Sequence, residues 1–170
     1  MLKLFAALLC CAPALFAEDP VVAIDRLLVY KGTWKIETEQ FNTSFSKAGK
    51  DSSTLKNDCW RSGGFFACNQ FVDGVSKDLI VFTYDQKNED YNSYSLPVGG
   101  GKSGNGKLII KDNVWTFPWD TRQNRKTYHF RVVNTFTSPG VIQYRQEFSE
   151  DNVIWTLTAK GTERRLDKSK

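Results

Sequence analysis

What most constrains this chain is its punctuation. Turn signals recur at Gly63-Gly64, Asp73-Gly74, 85–90, 111–113, 137–140 and 150–152. Between them lie runs in which apolar and polar residues alternate, the period-two pattern of half-buried strands. Such runs occupy 33–41, 53–62, 65–72, 78–84, 91–96, 106–110, 114–119, 127–136, 141–149 and 153–162. A link of two to six residues can join only antiparallel neighbours, because a parallel crossover needs a dozen or more. Ten strands in simple meander order would leave two raw edges, and closing the sheet removes them. The expected fold is therefore all-β, an up-and-down antiparallel barrel of about ten strands. The one long link, VGGGKSGNGK at 98–107, is glycine-rich but lacks the phosphate-loop spacing and leads into a strand, so it reads as a flexible connector.

The stretch CWRSGGFFAC, Cys59 to Cys68, fixes one register. Gly63-Gly64 tolerates positive φ at both central positions of a two-residue turn. Counting outward, Ser62 opposes Phe65, Arg61 opposes Phe66, Trp60 opposes Ala67 and Cys59 opposes Cys68. The cysteines then form a non-hydrogen-bonded pair with Cα atoms about 4.5 Å apart, within reach of a disulfide that would stabilise by about 2–3 kcal/mol. Two thiols without neighbouring ligands make a poor metal site, and the spacing is not the C-x-x-C of thiol oxidoreductases. A structural disulfide implies an oxidising compartment.

The N-terminus agrees. In MLKLFAALLCCAPALFA a lysine precedes an apolar run and then small residues, the layout of a secretory signal peptide over 1–17, cut after Ala17 or Ala14. The run falls short of the roughly 20 apolar residues of a membrane span. Residues 18–170 are then a single domain that opens on a short helix: Asp19 is placed as N-cap, Pro20 stands at the first position, and Gly32 is placed to stop it. Net charge is +4 with both signs scattered, which argues against a nucleic-acid partner; the basic residues gather only in the tail at 163–170.

Several of these residues together resemble a family. Gly32-Thr33-Trp34 at the start of the first strand resembles the G-x-W signature of the calycins, the lipocalins and fatty-acid-binding proteins. Trp60 to Phe66, then Tyr84-Asp85 and Tyr91 to Tyr94, are similar to a family of uncharacterised bacterial secreted domains thought to share that barrel and to be distantly allied to nitrobindin-like haem-binding barrels. The resemblance implies a secreted or periplasmic calycin-like barrel whose interior holds a small hydrophobic or amphipathic ligand, with no catalytic set and no cofactor of its own. A haem-binding relative would use a histidine near the C-terminal strands.

His129 is the only histidine. With a three-residue turn after its strand, Tyr128, Phe130, Val132 and Asn134 face Phe148, Gln146, Tyr144 and Ile142 on one side, and His129 opposes Glu147 on the other. The aromatic set belongs inside, so His129 points to solvent. A single histidine also leaves no Ser-His-Asp triad and no histidine-rich metal site. The candidate ligand-binding residues are accordingly Trp34, Phe130, Tyr144, Gln146 and Trp155, with Gln146 or Asn134 as the polar contact. Two rival readings stand beside a lumenal binder: a filled barrel that interacts through its outer surface or basic tail, and a haem protein using His129. Asn42-Thr43-Ser44 is in addition a glycosylation sequon.

Overall fold

The computed structural model describes residues 18–166; the expected signal peptide and the last residues of the tail lie outside them. Asp19 caps helix α1 (Pro20–Arg26), its carboxylate accepting from the Val21 amide at 2.7 Å, with Pro20 at the first position. The helix does not run on toward Gly32 but tightens at once into a 3₁₀ turn, Leu27–Tyr30. In that geometry side chains three apart eclipse one another. Leu27 and Tyr30 therefore share the barrel-facing side.

Ten strands follow: β1 (Gly32–Gln40), β2 (Gly49–Ser62), β3 (Phe65–Val72), β4 (Val75–Asp85), β5 (Asp90–Pro97), β6 (Gly104–Lys111), β7 (Val114–Gln123), β8 (Lys126–Ser138), β9 (Val141–Ser149) and β10 (Thr156–Arg165). Each pairs antiparallel with its neighbours in sequence, and β1 pairs with β10, so the meander closes into a barrel. The hairpin register is the expected one, with Cys59 opposite Cys68 and Ser62 opposite Phe65. The disulfide is formed, with the two Cα atoms 4.0 Å apart. Only Gly63 takes a positive φ, 55°, the arrangement of a II′ turn rather than one needing both glycines.

Two expectations shift. Phe130 pairs with Phe148, Val132 with Gln146, Asn134 with Tyr144 and Phe136 with Ile142, a two-residue offset from the expected register. The cause is a longer β8 that reaches Ser138, with an irregularity between Phe136 and Ser138. Because the offset is even, the same faces stay inside. β10 begins later than expected and extends to Arg165, so the first residues of the expected basic tail are strand.

The two ends of the barrel are closed by different devices. At the end where β1 begins, α1 and the 3₁₀ turn lie across the mouth. Ala23, Ile24 and Leu27 are fully buried against Phe66, Phe82, Tyr91, Leu108 and Trp115. Polar contacts fix this plug: Tyr91 Oη donates to the Ala23 carbonyl at 2.8 Å, Arg61 pairs with Asp25 at 2.8 Å, and Arg165 donates to the carbonyls of Val29 and Lys31 while its guanidinium lies 4.5 Å over the Trp34 ring. At the far end the loop after β1 folds on itself. Thr43 Oγ1 accepts from the amides of Phe45 and Ser46, and Ser46 Oγ donates to the Phe41 carbonyl. That turn drives the Phe45 ring onto Tyr128, Phe130 and Phe148, centroids 4.7–5.0 Å away.

Candidate functional site

The inward face of each strand follows from register. Leu55, Asn57 and Cys59 of β2 face Val72, Gln70 and Cys68 of β3, and the latter two face Asp78 and Ile80 of β4. Phe117 and Trp115 of β7 oppose Val132 and Asn134 of β8; Glu163 of β10 lies between Ile36 of β1 and Ile142 of β9. These positions meet, just above the helical plug, in a cavity of about 130 Å³. Its walls are Leu55, Ile80, Phe82, Phe117 and the Tyr30 ring; its polar groups are Asn57, Gln70, Asn134 and Glu163, with Cys68 of the disulfide in its floor.

Tyr30 organises the chamber. Its ring packs edge-on against Trp115 at 5.1 Å and also meets Phe117 and Phe136. Its backbone carbonyl accepts from Trp34 Nε1 at 3.0 Å and from Asn57 Nδ2 at 3.2 Å, and its hydroxyl accepts from Asn134 Nδ2 at 3.1 Å. Gln70 Nε2 then donates to Asn57 Oδ1 at 3.0 Å. Burial pushes the Tyr30 phenol far above its ordinary range, so it stays neutral.

Two acceptors of the chamber are left over. Asn134 is 6% exposed, and its Oδ1 has no hydrogen-bond partner among the described residues. A buried amide oxygen left so costs roughly 1–3 kcal/mol. Glu163 makes no hydrogen bond or ion pair among the described residues either. Burial beside the two isoleucines pushes its carboxyl up from 4.5 to about 7. The same charge opposes ionisation of Tyr30 and of Tyr144, so Glu163 is near both phenols. A carboxyl perturbed by desolvation alone, in a concave site, marks a candidate functional group.

Above the chamber the inward positions turn polar or small. Asp51, Ser53, Asp78, Ser93, Ser95, Gly104 and Gly106 share the inward parity, and Ser95 Oγ donates to Asp78 at 3.0 Å. Gly161 leaves room for Tyr144: a Cβ there would sit 2.1 Å from the Glu37 carbonyl and 2.6 Å from the Tyr144 ring. The Tyr144 hydroxyl instead reaches across to hydrogen-bond the Thr38 hydroxyl. The wall is incomplete on one side, since β6 and β7 pair only through Ile109–Lys111 and Val114–Thr116. Phe117 lines both the concavity over that slot and the chamber. A larger, more open concavity of about 640 Å³ lies over β1, β2, β9 and β10, lined by outward residues such as Glu37, Lys50 and Lys160 and also by Thr38, Asp51, Tyr144 and Gly161 of the inward parity.

None of the five residues expected to bind a ligand lines the chamber. Trp34 is fully buried below it, held by Tyr30 and Arg165. Phe130 stacks on Trp119 at 5.4 Å in the far-end cluster under Phe45. Tyr144 and Gln146 face the lumen above the chamber. Trp155 is on the outer wall, its ring 3.8 Å from the Arg131 guanidinium. Asn134, the alternative polar contact, is in the chamber. His129 lies on the outer face as expected, but its partner is Asp120 across the β7 pairing, at 2.8 Å, rather than Glu147, which pairs with Arg131 and Arg145. Glu163 escaped the sequence reading, although its signal was present: in Gly161, Glu163 and Arg165 a carboxylate falls on the face that alternation directs inward.

No group of three or more potential metal-ligating side chains occurs among the described residues, and none of their helices is long and apolar enough to cross a membrane. No protein-family model and no curated protein matches the chain. Among solved structures, the crystal structure of Rv2717c from M. tuberculosis is similar over 85% of this chain and 98% of its own, at 9% identity and a TM-score of 0.48.

Proposed function

We propose that this chain is a secreted or periplasmic, calycin-like barrel that binds a small amphipathic molecule in the Tyr30–Asn134–Glu163 chamber and carries out no chemistry on it. The observation behind this reading is the Glu163 carboxyl, which lines the chamber with no hydrogen-bond or ion-pair partner among the described residues. Folding alone does not favour it there, since a desolvated, unpaired carboxylate costs stability. An occupant that donates to it recovers that cost. The apolar walls supply the rest of the binding free energy, and the polar groups fix orientation.

Size narrows the occupant. About 130 Å³ is below the several hundred cubic ångströms of drug-sized pockets and close to cavities that hold benzene. The lumen therefore suits a molecule of about eight heavy atoms rather than a long acyl chain or a porphyrin. His129, on the outer wall, is out of reach of the lumen. The disulfide supports an oxidising compartment, and the Gly32-Thr33-Trp34 opening with Trp34 buried at the base of a closed barrel supports the calycin likeness.

The test is an amide NMR titration of the purified protein with a set of six- to nine-heavy-atom fragments, charged and neutral. Saturable shifts clustered at Leu55, Asn57, Ile80 and Asn134 are expected for at least one fragment class. Shifts confined to outer-wall residues, with the chamber silent to all of them, would overturn the reading in favour of a filled barrel acting through its surface.

A further inference from the structure

The lumen has a sign. Among the inward-facing strand positions of the described residues, the carboxyl side chains above the helical plug are Asp51, Asp78 and Glu163, one each from β2, β4 and β10. Cations that share the inward parity stand at the ends and are engaged there. Arg61 is held by Asp25, Lys126 by Glu150, and Arg165 by the carbonyls of Val29 and Lys31 and by the Trp34 ring beneath its guanidinium. None of them pairs with Glu163. Only Glu163 of the three lines the chamber, and Asp51 is exposed; a carboxylate-bearing ligand would meet the Glu163 charge with no compensating base, whereas a cation would meet the reverse.

The depth of the site sharpens this. Glu163, Asn134 and Tyr30 line one cavity, and the Tyr30 hydroxyl accepts from the Asn134 amide. The Glu163 carboxyl is the acceptor left open there, without an ammonium or guanidinium partner among the described residues, and an ammonium group brings three donors and no acceptor. The same cavity is walled by Leu55, Ile80, Phe82 and Phe117, apolar or aromatic side chains that suit a hydrocarbon body.

The geometry points to a small organic amine as the chamber's ligand: a primary or secondary ammonium held by Glu163, carrying an apolar body of up to about seven carbons against Phe82 and Phe117. This deepens the small-molecule reading and rests on it. It also gives binding a pH dependence. The titratable groups near Glu163 are Tyr30 from the 3₁₀ turn and Tyr144 from β9, with the exposed Asp51 of β2 beyond Tyr144; its strand neighbours Ile36 and Ile142 are uncharged. Both phenols stay neutral, so Glu163 is the group that titrates near neutrality, at about 7. The amine binds the ionised carboxylate. Below that pH a proton must leave Glu163 on binding, and affinity falls by about tenfold between pH 8 and pH 6.

The experiment compares benzylamine with benzyl alcohol, an uncharged molecule of nearly the same shape, by NMR titration of the whole protein at pH 8 and pH 6. Glu163→Gln and Glu163→Asp variants are titrated alongside. Benzylamine is expected to shift the chamber amides and to bind at least tenfold more tightly than benzyl alcohol at pH 8. That preference should disappear in E163Q and survive, reduced, in E163D; the loss of affinity toward pH 6 should be absent in E163Q. If E163Q does not fold, the E163D preference and the wild-type pH profile decide. Benzyl alcohol binding the chamber as tightly as benzylamine, with no pH dependence, would overturn the amine assignment and leave the small-molecule reading standing. Silence of the chamber to both compounds and to the fragment set would overturn both.

Discussion

The half of the barrel nearest the helix and the level just above it are built from the same strands with the same alternation, yet one is a dry core and the other a polar chamber. Two positions along β10 or β8 separate them. In the lower half Phe66, Leu108 and the plug residues Ile24 and Leu27 are completely buried and fill the cross-section. One level up, the inward positions are Asn57, Gln70, Asn134 and Glu163, and about 130 Å³ is left over. Period two decides which face a residue takes. What that face encloses is decided by side-chain size and by the plug, and only the lower half has one that reaches the centre.

The comparison can be broken from either side. The largest effect is expected for Phe66→Ala in the dry half, about 3–5 kcal/mol of lost stability by denaturant unfolding. Phe117→Ala at the chamber should cost less than half of that, because its ring already borders open space; equal losses would mean the two levels are packed alike. Removing the disulfide by Cys59→Ala with Cys68→Ala should cost about 2–3 kcal/mol, since the bridge restricts the unfolded chain, and an unchanged midpoint under reducing agent would contradict it. Phe45→Ala, at the far mouth, should cost about 1–2 kcal/mol for loss of three edge-to-face contacts. It should also speed exchange of the Phe130 and Phe148 amides, with the Ile24 and Leu27 amides unaffected.

Glu163→Gln should act in the opposite direction. The folded-state value of its carboxyl, about 7, is above the ordinary 4.5, so the native protein holds this proton more tightly than the unfolded chain. Stability therefore falls as pH rises from about 4.5 to 7 and levels off above. E163Q removes that slope. By denaturant unfolding it should be more stable than the parent at pH 8, by about 2 kcal/mol once residual solvent contact is discounted, and match it near pH 4. A destabilised E163Q at pH 8 would show that Glu163 is held by a partner.

Much of the scaffold was legible because it is local. Gly63-Gly64 set the hairpin register, Asp19-Pro20 announced the helix, and short turns between alternating runs required an antiparallel meander. The chamber was less legible because it is not local. Tyr30, Asn57, Asn134 and Glu163 come from four elements, brought to one level by the stagger of a closed barrel, a quantity no single run encodes. Aromatic richness therefore drew attention to Phe130 and Trp155, which serve packing under Phe45 and a cation contact on the outer wall. Phe45 was hidden in a stretch that reads as polar loop, where Thr43 and Ser46 organise the turn that presents it. The β8–β9 offset has a similar origin: a strand irregularity near the turn changes partners by two residues while leaving each face intact.

The most direct test of a wet, uncompensated level above a dry core is the titration of the Glu163 side-chain carboxyl carbon by NMR in the ligand-free protein. A midpoint near 7, with no accompanying change in the Phe66 and Leu108 signals, is the expected result. A midpoint at or below about 4.5 would mean that the carboxylate is solvated or paired, and would contradict the account.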